Sequence, residues 1–251
     1  MSYTKLSPNH SGKRTHSIDR ITPHCVVGQL SCESIAGCFP AGREASCNYG
    51  IGTDGRISLI VEEKNRSWCS SSNANDQRAV TIECASDKSE PYAMNSKVYA
   101  SLVKLCVDIC KRNGKKKLLW FADKNKSLNY NPKADEMVLT VHRWFANKSC
   151  PGNWLYARLG DLASEVTKQL TGGTSSGGGT TTPSTGKTLY RVQTGAFSKK
   201  ANADALVAKL KSKGFDTYMV VAGGLYKVQV GAYSVKAVSY THLRAHETDS
   251  Y

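Results

Sequence analysis

The chain has 251 residues, 40% of them hydrophobic, and a formal charge of +14 from 34 Lys+Arg and 20 Asp+Glu. That apolar share supports a packed core and excludes a wholly disordered chain, while the length accommodates one domain of ordinary size and one small one. No run approaches the ~20 apolar residues of a membrane-spanning helix, and the positive charge points to a polyanionic partner: nucleic acid, an acidic membrane or an anionic cell wall.

Met1 to Arg14 is polar and lacks the apolar core of a signal peptide. The nine cysteines all fall between Cys25 and Cys150, are odd in number and fit no small disulfide framework. The expectation is a chain made in the cytoplasm with mostly free thiols. A short segment, 21–23, leads into His24, ahead of Val26 and Val27. Residues 46–61 read as a hairpin turning at Asp54-Gly55, with Ile57, Leu59 and Val61 alternating. Residues 79–85 read as a buried strand, Val80, Ile82 and Cys84 on one face and Thr81, Glu83 and Ala85 on the other. Residues 94–113 carry helical spacing through Val98, Leu102, Leu105 and Ile109, with Gly114 as the stop. Short strands follow at 118–122 and at 138–142, the second ending on His142. A helix is expected over 153–170, burying Leu155, Leu159, Leu162 and Val166. Strands alternate with helices, so the class is α/β with a central sheet.

Residues 171–186 hold no charge and no large apolar side chain and read as a flexible Gly/Ser/Thr linker between a first domain, 1–170, and a second, 187–237. The second contains a repeat: YRVQTGAFSKKA from Tyr190 matches YKVQVGAYSVKA from Tyr226. Each copy is a strand, a Gly-Ala turn and a helix start; a helix at 201–213 and a strand at 216–222 follow the first. Residues 238–251 fit neither copy, resemble a translated sequencing-adapter tail, and are expected to be non-native.

Chemistry concentrates at His142, Lys148 and Cys150, followed by Pro151 and Gly152. Imidazole and thiolate are both good zinc ligands, and His24 is the natural third because His10 and His16 lie in the polar N-terminal arm. The competing reading makes His142 a satisfied strand-end residue, Cys150 a small core residue and His24 unrelated. Glu83, mid-strand opposite Val80 and Ile82, either pairs with a cation such as Arg78 or faces a metal as general base. Cys25, Cys32, Cys38 and Cys47 read as core or loop thiols, as do Cys106 and Cys110.

Four segments carry a family resemblance: ITPHCVVGQ, NYGIGTDGRI, EEKNRSWCSSSNANDQRAVTIE and VHRWFANKSCPG. From His24 to about Gly152 the chain resembles the type-2 N-acetylmuramoyl-L-alanine amidases, which share the fold of peptidoglycan recognition proteins. The resemblance implies a central mixed sheet flanked by helices. It implies Zn2+ held by His24, His142 and Cys150, with Glu83 as general base and Lys148 beside the metal, both catalytic. It also implies substrate contacts at Tyr49, Trp68, Asn75 and Arg78. The family's bond is the amide between the lactyl group of N-acetylmuramic acid and L-Ala of the stem peptide. One departure stands out: many relatives place a histidine or tyrosine just before the strand that here begins Asn48-Tyr49.

YRVQTGAFSKKANADALVAKL and YKVQVGAY resemble the sporulation-related repeat (SPOR) module, a βαββαβ α+β domain that binds glycan strands stripped of stem peptides; here it is partial. The resemblance implies glycan contacts from Gln193, Phe197, Gln229 and Tyr233. A basic, aromatic-bearing sheet also suits RNA, but the RNP pattern is absent, so nucleic acid is not an expected partner. The expected partners are peptidoglycan and, beside it, anionic wall polymers. The role expected is a phage or prophage endolysin that reaches the wall after release. The alternatives are a host autolysin and a non-catalytic peptidoglycan-binding protein; Cys150 argues against the last, since binding-only relatives usually lose it.

Overall fold

A computed structural model describes residues 2–172, 190–212 and 217–233, in two compact units, 1–177 and 178–251. Most of the expected linker, from 173 onward, and all of 238–251 lie outside the described residues.

The larger unit is built on β1 (Tyr3–Thr4), β3 (Arg20–Cys25), β4 (Tyr49–Ile51), β5 (Ile57–Leu59), β7 (Ala79–Cys84), β8 (Lys117–Leu119) and β9 (Glu136–Leu139), in the order β1-β5-β4-β7-β3-β9-β8. β2 (His10–Lys13) and β6 (Asn65–Ser67) form a separate antiparallel ribbon. Every pair in the large sheet is parallel except β4–β5, the hairpin read at 46–61. The sheet is therefore mixed, and its central strands are buried on both faces, as parallel strands covered on two sides are.

One face of the sheet is apolar. The 17-residue α3 (Ser96–Arg112) buries Val98, Leu102, Leu105 and Ile109 in the same core as Val80 and Ile82. Asn95 caps it, its side chain accepting from the backbone of Lys97 and Val98 at 2.9 and 3.0 Å, and Gly114 ends it at φ +66°. The single helix expected at 153–170 is two, α5 (Gly152–Tyr156) and α6 (Leu159–Leu170). Arg158, at φ −104° and ψ 0°, takes the chain out of helical geometry, and its guanidinium folds back onto the Trp154 carbonyl at 2.9 Å and ring at 4.0 Å. The strand expected to end on His142 stops at Leu139; His142 instead opens a 3-10 turn, His142–Trp144, just beyond the strand.

The smaller unit is an antiparallel sheet of β10 (Tyr190–Phe197), β12 (Leu225–Tyr233) and β11 (Thr217–Ala222), in that order. α7 (Lys200–Ser212) packs Ala203, Leu206 and Leu210 with Val228 and Val230.

Candidate metal centre

Period-two alternation puts Thr22 and His24 of β3 on the same face as Thr81 and Glu83 of β7. The register pairs His24 directly with Glu83. Beneath them lies a closed polar layer. Thr22 and Thr140 share a hydroxyl bond of 2.7 Å, and Asn75 donates to Thr22 at 3.0 Å and to Ser70 at 3.2 Å. Asn75 also accepts from Thr140 at 3.0 Å, and Ser70 donates to Asp76 at 2.6 Å. Thr22, Thr140, Asn75 and Ser70 are fully buried. A buried polar network pays its way only when every member is partnered, and then it fixes geometry.

On this floor three donors converge from distant parts of the chain. His24 comes from the end of β3, His142 from the 3-10 turn, and Cys150 from the loop that precedes α5. Cys150 Sγ lies 3.3 Å from His24 Nδ1, and the two imidazoles stand 5.1 Å apart at 62°. One donor atom from each of the three lies within 4.8 Å of the others. Glu83 Oε1 is 4.0 Å from His24 Nδ1. Ser71 Oγ sits 3.0 Å from His142 Nε2 and can fix that ring's tautomer.

Electrostatics follow burial. His24 is held well below the usual imidazole range by burial and then by the neighbouring His142, so it stays neutral, as a metal ligand must. His142 is lowered by burial and by the Lys148 charge. Burial pushes Glu83 up to about 7, against weaker opposing effects from Arg43 and from a Cys69 hydrogen bond. Cys150 is raised by hydrogen bonding with Cys25 and by burial. His24 Nε2 and Glu83 Oε2 are both buried with no hydrogen-bond partner among the described residues. Unpaired polar atoms in such a place are costly unless a further group completes the site. Two imidazoles and a thiol, one pair already 3.3 Å apart, fit the tetrahedral zinc sphere, whose bonds of about 2.0–2.3 Å place ligands roughly 3.5 Å apart.

Residues 14–153, more than half of the 251, match the family described as N-acetylmuramoyl-L-alanine amidase. The chain belongs to that family. Residues 186–238 match the SPOR domain. Among solved structures, the peptidoglycan-binding domain of the Bacillus subtilis cell wall lytic enzyme CwlC is 46% identical over 24% of this chain and 77% of its own, with a TM-score of 0.21. The Staphylococcus aureus hydrolase AmiA, in complex with its ligand, is 13% identical over 68% of this chain and 85% of its own, with a TM-score of 0.44. The Clostridium intestinale N-acetylmuramoyl-L-alanine amidase LysC is 16% identical over 66% and 97%, with a TM-score of 0.39. No curated protein matches the chain.

Within the amidase unit the remaining expected residues divide. Lys148 is exposed on the loop between His142 and Cys150, near enough to act on His142. Trp68 is half-buried, its indole donating to Ser11 at 2.7 Å, next to Cys69. Tyr49 is not at the site. Its register partner is Ile82, which puts it on the α3 face, where its hydroxyl donates to Glu63 at 2.9 Å and accepts from Arg112 at 3.4 Å. Asn75 commits its amide to Thr22, Ser70, Thr140 and Arg20, and it lines a cleft that opens beside Ser71. Arg78 pairs with Asp19 at 2.5 Å, which answers the alternative that Glu83 is its partner. Asn48, the family departure, is buried and accepts from the Thr81 backbone at 3.1 Å.

Two site residues escaped the sequence reading. Cys69 Sγ lies 3.9 Å from Glu83 Oε1 and, with His24 and Glu83, makes a second cluster sharing the same histidine. Ser71 is the other. Both sit in a loop with no periodicity, held by Asp76 accepting from the backbones of Cys69 and Ser70 at 3.1 and 3.2 Å.

In the SPOR domain, Gln193 pairs with Gln229 and Gln229 with Tyr218, forming a row across the sheet on the face opposite Val228 and Val230. Gln193 and Tyr218 are exposed. Phe197 is not in that row. It packs with Leu206 in the α7 core, so close to Gly195 that a Cβ there would meet its ring at 2.7 Å. Tyr233 is the last residue of β12; its side chain lies outside the described set.

Proposed function

We propose that this chain is a zinc-dependent hydrolase of the amide between the lactyl group of N-acetylmuramic acid and L-Ala, held on the wall by its SPOR domain. The observation that carries this reading is the meeting of His24, His142 and Cys150 within 4.8 Å, with Glu83 4.0 Å from His24. His24, His142 and Cys150 would hold the ion. When bound, zinc supplies Lewis-acid polarisation and an acidified water. Glu83 takes the water proton and passes it to the departing L-Ala amine. A carboxyl near 7 suits that exchange at neutral pH, and a nearby dication favours its ionised form. Ser71 orients His142. Lys148 reaches the developing oxyanion from the exposed loop.

Zinc content and activity, measured together, test the assignment. Cys150→Ser and His142→Ala should lose bound zinc, and Glu83→Gln should keep one ion per chain while turnover falls by roughly 10²–10⁴-fold. Full zinc in Cys150→Ser and in His142→Ala would overturn the ligand set.

The finer proposal is a lytic, endolysin-type role, with a host autolysin as the alternative that carries the same pairing of domains. Produced inside a bacterium, the protein should lyse it only once the membrane is breached. Lysis without a breach would point to the host autolysin instead.

A further inference from the structure

The two oxygens of the Glu83 carboxyl stand in different surroundings. Oε1 lies 3.9 Å from Cys69 Sγ and 4.0 Å from His24 Nδ1. Oε2 is buried with no hydrogen-bond partner among the described residues. The Glu83 charge acts on four thiols, those of Cys47, Cys69, Cys84 and Cys150. Among the described residues only the Cys69 thiol hydrogen-bonds to the carboxyl. Cys84 directs its sulfur to the Ile82 carbonyl at 4.0 Å, and Cys150 faces His24. Cys69 is held from behind. Its backbone N–H donates to Asp76 at 3.1 Å, and the Ser70 backbone and hydroxyl donate to the same carboxylate at 3.2 and 2.6 Å. Asp76 is itself buried, at the end of the short helix Asn73–Asp76. Burial, and then the charge of Glu83, push the Cys69 thiol well above its usual range, so it keeps its proton and acts as a donor.

We propose that Cys69 is a positioning residue for the general base: its S–H holds Glu83 Oε1, leaving Oε2 to take the proton from water and deliver it to the departing amine. The proposal rests on the amidase reading above. A carboxyl turns easily about its last bond and presents either oxygen; anchoring one oxygen fixes where the other points. Sulfur is a weak donor, but a charged acceptor in a site shielded from water strengthens the contact. The second cluster, His24, Cys69 and Glu83, also admits a different role for the thiol, as a metal ligand. Were those three to hold the ion, the base would become a ligand and be lost to proton transfer. With His24, His142 and Cys150 holding it, Glu83 stays free and Cys69 has only the carboxyl to serve.

The test is a double-mutant cycle on the zinc-loaded full chain, with a soluble muramoyl peptide as substrate and zinc content measured beside kcat and KM. Cys69→Ala should keep one ion per chain and hold KM within about twofold while kcat falls about 10-fold. Cys69→Val, which fills the thiol's space without a donor, should do the same and guards against a cavity effect. Adding either change to Glu83→Gln should cost nothing further in kcat, because the group that Cys69 positions is already gone. A merely structural role would lower kcat by the same factor in both backgrounds. That result, an unchanged kcat in both Cys69 variants, or loss of zinc from them, overturns the positioning role. Full activity in Glu83→Gln alone removes the base assignment and this proposal with it. No cleavage by the wild type sinks the amidase reading itself.

Discussion

Replacing Glu83 with glutamine separates what the residue does for the reaction from what it costs the fold. Burial lifts its carboxyl from 4.5 to about 7, a displacement equivalent to roughly 3 kcal/mol. Below pH 4.5 the group is neutral in both folded and unfolded chains and costs nothing. The penalty grows as pH rises and is complete above about 7, where both states are ionised. The side chain is 16% exposed, which relieves part of the cost, and the glutamine amide still needs partners. The expected net gain for metal-free Glu83→Gln at pH 8 is therefore about 1–2 kcal/mol, or about 3–6 °C in melting temperature for a unit of this size. The gain should shrink towards zero at pH 4.5. With zinc bound it should also shrink, because the cation stabilises the native carboxylate. Thermal unfolding followed by circular dichroism at both pH values, with and without chelator, reads all of this. A variant no more stable than wild type at pH 8, or equally stabilised at pH 4.5, would refute the view that Glu83 is a buried carboxyl held above its usual range.

Three further outcomes follow from the geometry. Asn75→Ala should cost about 2–4 kcal/mol in chemical denaturation, since it leaves Thr22, Ser70 and Thr140 short of partners in a fully buried layer. Tyr49→Phe should cost about 1–2 kcal/mol through its lost bond to Glu63 while kcat/KM on soluble substrate stays unchanged; a large activity loss would return Tyr49 to the site. Gln193→Ala with Gln229→Ala should weaken sedimentation with stripped sacculi by about 10-fold or more and leave hydrolysis of soluble muramoyl peptides intact.

The long, strongly patterned elements were legible. Val80, Ile82 and Cys84 alternating against Glu83 announced β7, and the i, i+3, i+4 spacing from Val98 to Ile109 announced α3. Spacing nominated His142, Cys150 and His24 but left the core reading open beside the metal one; the family resemblance chose between them, and the three donors lie within 4.8 Å of one another. The short elements escaped. α1 (Cys32–Gly37), α2 (Asn73–Asp76) and α4 (Lys124–Asn129) span only four to six residues, too few for periodicity, although Ser31, Ser72 and Asp123 each cap one of them. Tyr49, implied as a substrate contact by the family resemblance, lies on the α3 face because its register partner is Ile82, a matter of strand register that a one-residue shift inverts. Cys69 and Ser71 join the site only through tertiary contacts, which no local pattern records.

The central claim is a bond, and mass spectrometry of purified sacculi digested by the zinc-loaded protein names it. The account predicts soluble stem peptides with a free L-Ala amino terminus, released from glycan strands whose muramic acids carry free lactyl carboxylates and remain linked. Release of disaccharide still joined to its stem, or of cross-links cut with L-Ala still attached to muramic acid, would contradict it.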